Sequence, residues 1–338
     1  MYNLGHLGLY KNIPKKRKFN STPDYENDAY TLLQYKSHLR NEFLIPLKAN
    51  GDGTGVATIR LQSLEEQSVK ITGNGKFYTD VSGATVLGTE STIGTTLGSL
   101  YVKLPAGESC YLICGKADKL SGLGNNTTNV ITDGANIPYI NYCAINYPLI
   151  NLSAIRLSRV LNSSFTGSIN NTPALMYLNF NNNLLSVITG SIDSTPNLTY
   201  IGFSNNLLSV ITGSIDSTPD LTGLALYYNL ISAFTGDIGK AVNCSYLRSH
   251  INTKCTFTYV TRRNNWTDFD TLWISCSSMT STMVDNLLID LDASGVTPVG
   301  EKNINLAGLC GAVTSASETA RANLVDKGFT VIVNTQGE

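Results

Sequence analysis

Charge is scarce in this chain: only 14% of its 338 residues are Asp, Glu, Lys or Arg, and they nearly cancel, to a formal net charge of −1. Without an overall basic field there is no general attraction for nucleic acid, so charge names no partner. Histidine is scarcer still. There are three (His6, His38 and His250), and none stands at metal-ligand spacing to another or to a cysteine. No run approaches the roughly 20 apolar residues of a membrane span. The opening "MYNLGHLGLYKNIPKKRKFN" puts its charges after a short, weakly apolar stretch, which is the wrong order for a secretory signal. The expectation is therefore a chain made in a cytoplasm. The seven cysteines are odd in number and contain no CxxC pair, so they read as mostly buried free thiols.

Catalytic signatures are missing as well. No phosphate-cradling glycine loop and no nucleophile elbow occurs. His250 lies near Cys244 and Cys255, but Cys244 takes a core leucine position and no third group completes a nucleophilic pair. Asp193 and Asp216 are repeat-equivalent turn residues, expected to bond their own backbone rather than to work as paired carboxylates. The expectation is a protein that is not an enzyme and takes no metal and no cofactor. The several Asn-x-Ser/Thr triplets (Asn151, Asn162, Asn170, Asn197) follow from composition and carry little weight.

What is present is Asn, Ser, Thr and Gly, together with 42% apolar residues. Short polar side chains favour turns over long surface helices, so the fold class expected is mainly β with some α. Residues 1–42 read as an extended arm with a basic run, Lys11, Lys15, Lys16, Arg17 and Lys18. That run reads as a solvated arm, as one reaching nucleic acid, or as one touching anionic lipid. Residues 43–125 alternate in short runs ("FLIPLK", "GVATIRLQ", "QSVKITG", "KFYTDV", "SLYVKLP", "SCYLICG") between turns, the pattern of a small antiparallel β-sandwich or barrel, jelly-roll-like. "NGDGTG" (Asn50 to Gly55) reads as its first hairpin, since the Glu that closes a calcium loop is missing. A Gly- and Asn-rich loop, "SGLGNNTTNVITDGANIP", then leads on, with 126–148 as linker and N-terminal cap.

From residue 149 to 338 the chain repeats. Pro173, Pro196 and Pro219 stand 23 residues apart, and "NNLLSVITGSIDSTP" occurs twice unchanged. Leu175, Leu178, Phe180, Asn183 and Leu185 spell L-x-x-L-x-F-x-x-N-x-L, and the next two rows repeat it. This is the pattern of a leucine-rich repeat. Apolar residues two apart face one side of a strand, and Asn183, Asn206 and Asn229 fall where each strand ends, placed for a stacked Asn ladder. Further on, "TLWISCS" and "KNINLAG" read as strands, each followed by a helix, with a Ser315–Glu318 capping box, Gly328 just past the second helix, and "FTVIV" as a closing strand. Together these form a helix-strand cap over the open end.

The rows between Leu149 and Asn334, especially "VDNLLIDLDASGV" leading to "SASETARANLVDKGFTV", resemble leucine-rich repeat modules of bacteriophage structural, tail or spike proteins and of some bacterial surface proteins. The resemblance implies a virion protein. Its arm and β-domain would contact other virion proteins, it would assemble as a homo-oligomer, and its repeats would meet a host cell-surface protein or glycan. It leaves open a purely structural capsid vertex or decoration protein, and a bacterial adhesin. Outward positions of the repeat strands form three columns. One holds Ala154, Tyr177, Tyr200, Gly223 and Tyr246, the next Arg156, Asn179, Gly202, Ala225 and Arg248, the third Ser158, Asn181, Ser204, Tyr227 and His250. Tyrosines flanked by Arg, Asn and His make a contact surface, or else simply stabilise the sheet. The two near-identical rows differ at five positions, all in or beside the strand: Ala174/Asn197, Met176/Thr199, Leu178/Ile201, Asn179/Gly202 and Asn181/Ser204.

Overall fold

The structure is a computed structural model that describes residues 40–48, 56–105, 108–125, 139–140, 143–145, 149–158, 165–250, 255–263 and 265–335. Lys11, Lys15, Lys16, Arg17 and Lys18, the hairpin expected at Asn50 to Gly55, and most of 126–148 lie outside the described residues. The chain is mainly β: strands hold 37% of it and helices 15%.

Alternation of apolar and polar residues makes the first region antiparallel. Gln67–Ile71 reads buried, exposed, buried, exposed, buried, the mark of a strand with one face in a core. Phe43–Lys48 pairs along its length with Ser109–Cys114, and Gln67–Ile71 lies on the far side of that strand. A second set, Lys76–Tyr78, Gly98–Lys103, Ala57–Ser63 and Leu120–Asn125, pairs in that order. Phe43, Ile45 and Leu47 from the first set and Ile59, Leu61 and Val102 from the second belong to one buried cluster.

One finding departs from the sequence reading. Leu120–Asn125 begins the stretch read as a Gly- and Asn-rich loop, yet it is a strand that pairs antiparallel with Ala57–Ser63 on one edge and parallel with Ala154–Arg156 on the other. Glycine permits this. A Cβ on Gly124 would lie 3.0 Å from the Arg156 carbonyl oxygen, so the two backbones can close only with no side chain between them. A single 13-stranded sheet therefore runs from the antiparallel region through the repeats to Thr330–Val333.

Within the repeats the register is set by 23-residue steps. Tyr177, Tyr200, Gly223 and Tyr246 are successive neighbours, as are Leu178, Ile201, Leu224 and Leu247. The row from Thr172 buries six apolar side chains, Leu175, Leu178, Phe180, Leu185, Ile188 and Ile192, none more than 4% exposed. A single coil cannot cover them, so stability comes from neighbouring coils. Gly190 (φ +96°) and Gly213 (φ +101°) turn the chain, and Ile192 and Ile215 return inward at short 3₁₀ turns capped by Ser191 and Ser214. Thr195 and Thr218, at 0% exposure, then donate to the Ile192 and Ile215 carbonyls. A second, shorter sheet (Val210–Ser214, Ala233–Asp237, Thr256–Thr258) lines the opposite side of the coils.

Later coils lengthen. Tyr246 is beside Thr271, Thr271 beside Asn303 and Asn303 beside Thr330. The extra length holds two helices, α1 (Ser281–Ala293) and α2 (Glu318–Asp326). Leu287, Leu288 and Leu291 of α1 are fully buried. At the end of α2 the Phe329 N–H donates to the Leu324 carbonyl and Gly328 (φ +98°) to Val325, a Schellman ending. The expected Ser315–Glu318 capping box does not form. The residue before α2 is Ser317, and its hydroxyl donates to Asp285 of α1, as does Thr314 Oγ1 at 2.6 Å. A buried carboxylate is the stronger acceptor, and it ties the two helices together instead.

Candidate functional site

The period-2 geometry of short strands sends alternate side chains outward, and parallel register stacks them in the three expected columns. Arg156, Tyr177, Asn179, Asn181, Tyr200, Ser204, Tyr227, Tyr246, Arg248 and His250 all belong to this one face. They separate into two clusters with different chemistry.

Toward the N-terminal end, the Tyr177 and Tyr200 rings stack at 4.7 Å, and the Arg156 guanidinium lies 4.2 Å over Tyr177. Asn181 Oδ1 accepts from both the N–H and the hydroxyl of Ser204 at 2.8 Å, and Asn179 Oδ1 accepts from the Asn181 N–H at 2.9 Å. The Tyr200 ring leans across the face. A Cβ on Gly202 would come within 2.8 Å of it, and one on Gly223 within 2.9 Å. These two glycines thus clear the floor on which the ring lies, and burial pushes the Tyr200 hydroxyl pKa up.

Toward the C-terminal end the rings form a longer slab. Tyr227 stacks on His250 at 5.2 Å, and His250 on Trp273 at 3.8 Å. Tyr228 meets His250 edge-on at 5.7 Å. The Arg248 guanidinium sits 4.7 Å from the Tyr227 ring and 5.2 Å from Trp273, and Glu301 grips it with both carboxylate oxygens at 2.9 and 3.1 Å. His250 is 5% exposed. Burial, then the Arg248 charge, pulls its pKa down to about 4, so the imidazole is neutral near pH 7. Its Nδ1 and the Arg248 Nε have no hydrogen-bond partner among the described residues. Burial pushes the Tyr246 hydroxyl up to about 12.

The backbone beneath this slab passes through the left-handed region at an aromatic residue. The rows before it hold Asn182 (φ +58°) and Asn205 (φ +55°) where the chain turns through the left-handed region, which Asn tolerates. The next row puts Tyr228 there, at φ +56° and 52% exposed. A bulky residue in that conformation costs about 1–2 kcal/mol.

Trp273, Tyr228 and Glu301 were not among the residues the sequence pointed to. Trp273 had a signal: placing Leu272 in the column of Leu247 sets Trp273 directly after Arg248. Tyr228 could have been found as the break in an Asn series. Glu301 had none, because it enters on a turn between Gly300 and Lys302, both at positive φ, within the longest strand.

The Asn ladder lies under the face. Asn183, Asn206 and Asn229 are buried, and each donates to a carbonyl of the preceding coil and one of its own, as Asn206 does to Phe180 at 2.8 Å and Phe203 at 3.0 Å. Asp193 and Asp216 bond less locally than expected. Asp193 accepts from the Ser214 N–H, and Asp216 from the Asp237 N–H, both one coil onward. On that far side a shallow groove lies between Thr235, Thr256, Thr258 and Lys240, with the Lys240 ammonium 2.8 Å from Asp216.

Elsewhere one thiol stands apart: its hydrogen bond with Cys310 holds the Cys276 pKa down, to about 6, against the opposing effect of burial. Cys110, Cys114, Cys244, Cys255, Cys276 and Cys310 are free and buried, and burial pushes the Cys244 and Cys255 thiols up to about 12, far from a reactive thiolate. Among the described residues no three His, Cys, Asp or Glu side chains converge as metal ligands. No family model matches the chain, and no curated protein or solved structure is significantly similar to it.

Proposed function

We propose that the chain is a bacteriophage virion protein: a small antiparallel β-sandwich that anchors it to the particle, then a leucine-rich repeat solenoid with a helix-strand cap that adheres to the host surface without catalysis. The observation that carries this reading is the outward sheet face. Two rows that agree at all other positions differ only in or beside the strand, and the Tyr, Trp, Arg and His side chains gather on that face. A rigid curved sheet with aromatic anchors suits adhesion, because tyrosine offers large contact area at low entropic cost. Several copies on one particle would compensate for weak single-site binding.

Virions carrying Tyr177→Ala, Tyr200→Ala and Tyr227→Ala together are expected to assemble and to lose adsorption to host cells. Unchanged adsorption, with the variant's circular dichroism intact, would refute the adhesive role. The alternative, a structural vertex or decoration protein, draws support from the Tyr177–Tyr200 stack, whose rings are occupied by each other, by Arg156 and by the glycine floor. Particles lacking residues 150–338 decide between the two: the first reading expects assembly without adsorption, the second failed assembly.

A further inference from the structure

The two halves of the face do not offer the same thing to a partner. In the N-terminal half Tyr200 lies flat on Gly202 and Gly223, and Asn181 is spent on Ser204. The polar and aromatic groups there satisfy one another. In the C-terminal half the rings also stack, but one ring stands exposed on a strained backbone and two polar atoms stay unpaired among the described residues. Tyr228 holds a backbone conformation that Asn holds at less cost in the two rows before it, while its ring stands 52% exposed. Local folding would favour Asn at that position; the Tyr instead sets its ring edge-on to Tyr227 and His250 and leaves it open to solvent. Beside it His250, 95% buried as a residue, keeps an Nδ1 with no partner among the described residues, and Arg248 an Nε likewise. Unpaired buried polar atoms are costly, so the slab gives up stability to hold these side chains in place.

The charge balance narrows the ligand. Arg248 is matched by Glu301 in a two-point ion pair, and the neutral His250 adds no charge. A phosphate, sulfate or sialic acid would meet the Glu301 carboxylate, which is 51% exposed and already holds Arg248. A ligand with many hydroxyls and apolar C–H faces fits better. The paired Arg and Glu supply a donor and an acceptor to neighbouring hydroxyls, and the Tyr and Trp rings give flat apolar contact with polar edges. Resting on the adhesive reading above, we infer that Tyr227, Tyr228, Arg248, His250, Trp273 and Glu301 form a subsite for a neutral carbohydrate chain.

The test uses the full chain on an array of immobilised neutral and sialylated glycans, followed by titration of the best neutral oligosaccharide while tryptophan emission is read. The expected result is binding to neutral glycans, with an emission change that disappears in Trp273→Phe but not in Trp266→Phe, since Trp266 is buried at 3% exposure. Tyr228→Asn should weaken binding at least about tenfold and at the same time raise the melting temperature, because it relieves strain. Tyr177→Ala should leave glycan affinity within about twofold. The inference is overturned if only sialylated glycans or none bind, if Tyr228→Asn binds as well as the parent, or if it melts lower. Loss of host adsorption in the triple tyrosine variant, with no neutral glycan bound, would keep the adhesive reading and point to a protein receptor instead. Retained adsorption in that variant would remove both.

Discussion

The coils are stitched together at two corners, and the stitches differ in kind. At the inner corner a neutral amide reaches back: Asn206 donates to Phe180 and Phe203 and accepts from the Leu185 N–H, all under cover of the core. At the outer corner a carboxylate reaches forward. Asp193 accepts from the Ser214 N–H, Asp216 from the Asp237 N–H, and Asp237 from the Val260 and Thr261 N–H groups, with Asn170 starting the series at Ser191. Asp193 and Asp216 face solvent, whereas Asp237 is buried at 7% exposure. The comparison shows how one task, closing backbone groups between coils, is done by two kinds of side chain. The inner side chains are buried amides that both donate and accept, while the outer ones only accept, through carboxylates that are exposed at Asp193 and Asp216 and buried at Asp237.

The largest effect should come from the inner corner. Asn206→Ala strands two buried carbonyls and one N–H, and is expected to cost about 3–5 kcal/mol in urea unfolding. Next comes Asp237→Ala, which removes the acceptor for the Gly239, Val260 and Thr261 N–H groups, at about 2–4 kcal/mol by the same measurement. If it instead proves as mild as a surface change, burial is not what separates the corners. Acid should then act on the outer corner, on the helical end and on buried His250. Ser217, Ser214 and Ser191 hold the Asp193 pKa low. At Asp216 burial opposes ionisation, but the Lys240 ammonium and the Asp237 N–H outweigh it. Asp285, held low by Ser317 and Thr314 against the opposing effect of its burial, behaves alike. Carboxyls depressed in the folded state contribute stability that is complete above the ordinary Asp value near 4 and is lost as pH falls through the lowered values. Unfolding free energy should therefore fall in two stages: from about pH 6.5, as the unfolded chain protonates His250, whose folded value is about 4, and further below about pH 4 as the carboxyls protonate. The smallest effect belongs to Asp216→Asn, under about 1 kcal/mol at neutral pH, because its ion pair with Lys240 is exposed. A value above that would mean the outer corner leans on charge rather than on hydrogen-bond geometry.

How much of this was legible follows from the same particulars. The inner ladder could be read because Asn183, Asn206 and Asn229 recur at one step and amide-to-backbone bonding is what a buried Asn must do. The outer ladder could not. An Asp in a turn has a local use in every sequence, and nothing in "GSIDS" says that its acceptor serves the following coil. The strand Leu120–Asn125 was hidden for a related reason: Gly122 and Gly124 read as loop, whereas here Gly122 makes room for the Gln62 side chain and Gly124 for the Arg156 backbone. Register explains the site. The columns were traceable while the step stayed at 23, and Trp273 and Glu301 were lost once coils lengthened to hold helices.

That shared strand has a mechanical meaning. A chain of two bodies joined by a tether swivels, and whatever its far end touches is felt only as a tug. Here Leu120–Asn125 belongs to both sheets at once, hydrogen-bonded antiparallel on one edge and parallel on the other. The coils and the antiparallel region must then tip together as a single lever, so that a load on the aromatic slab arrives at the opposite end as torque.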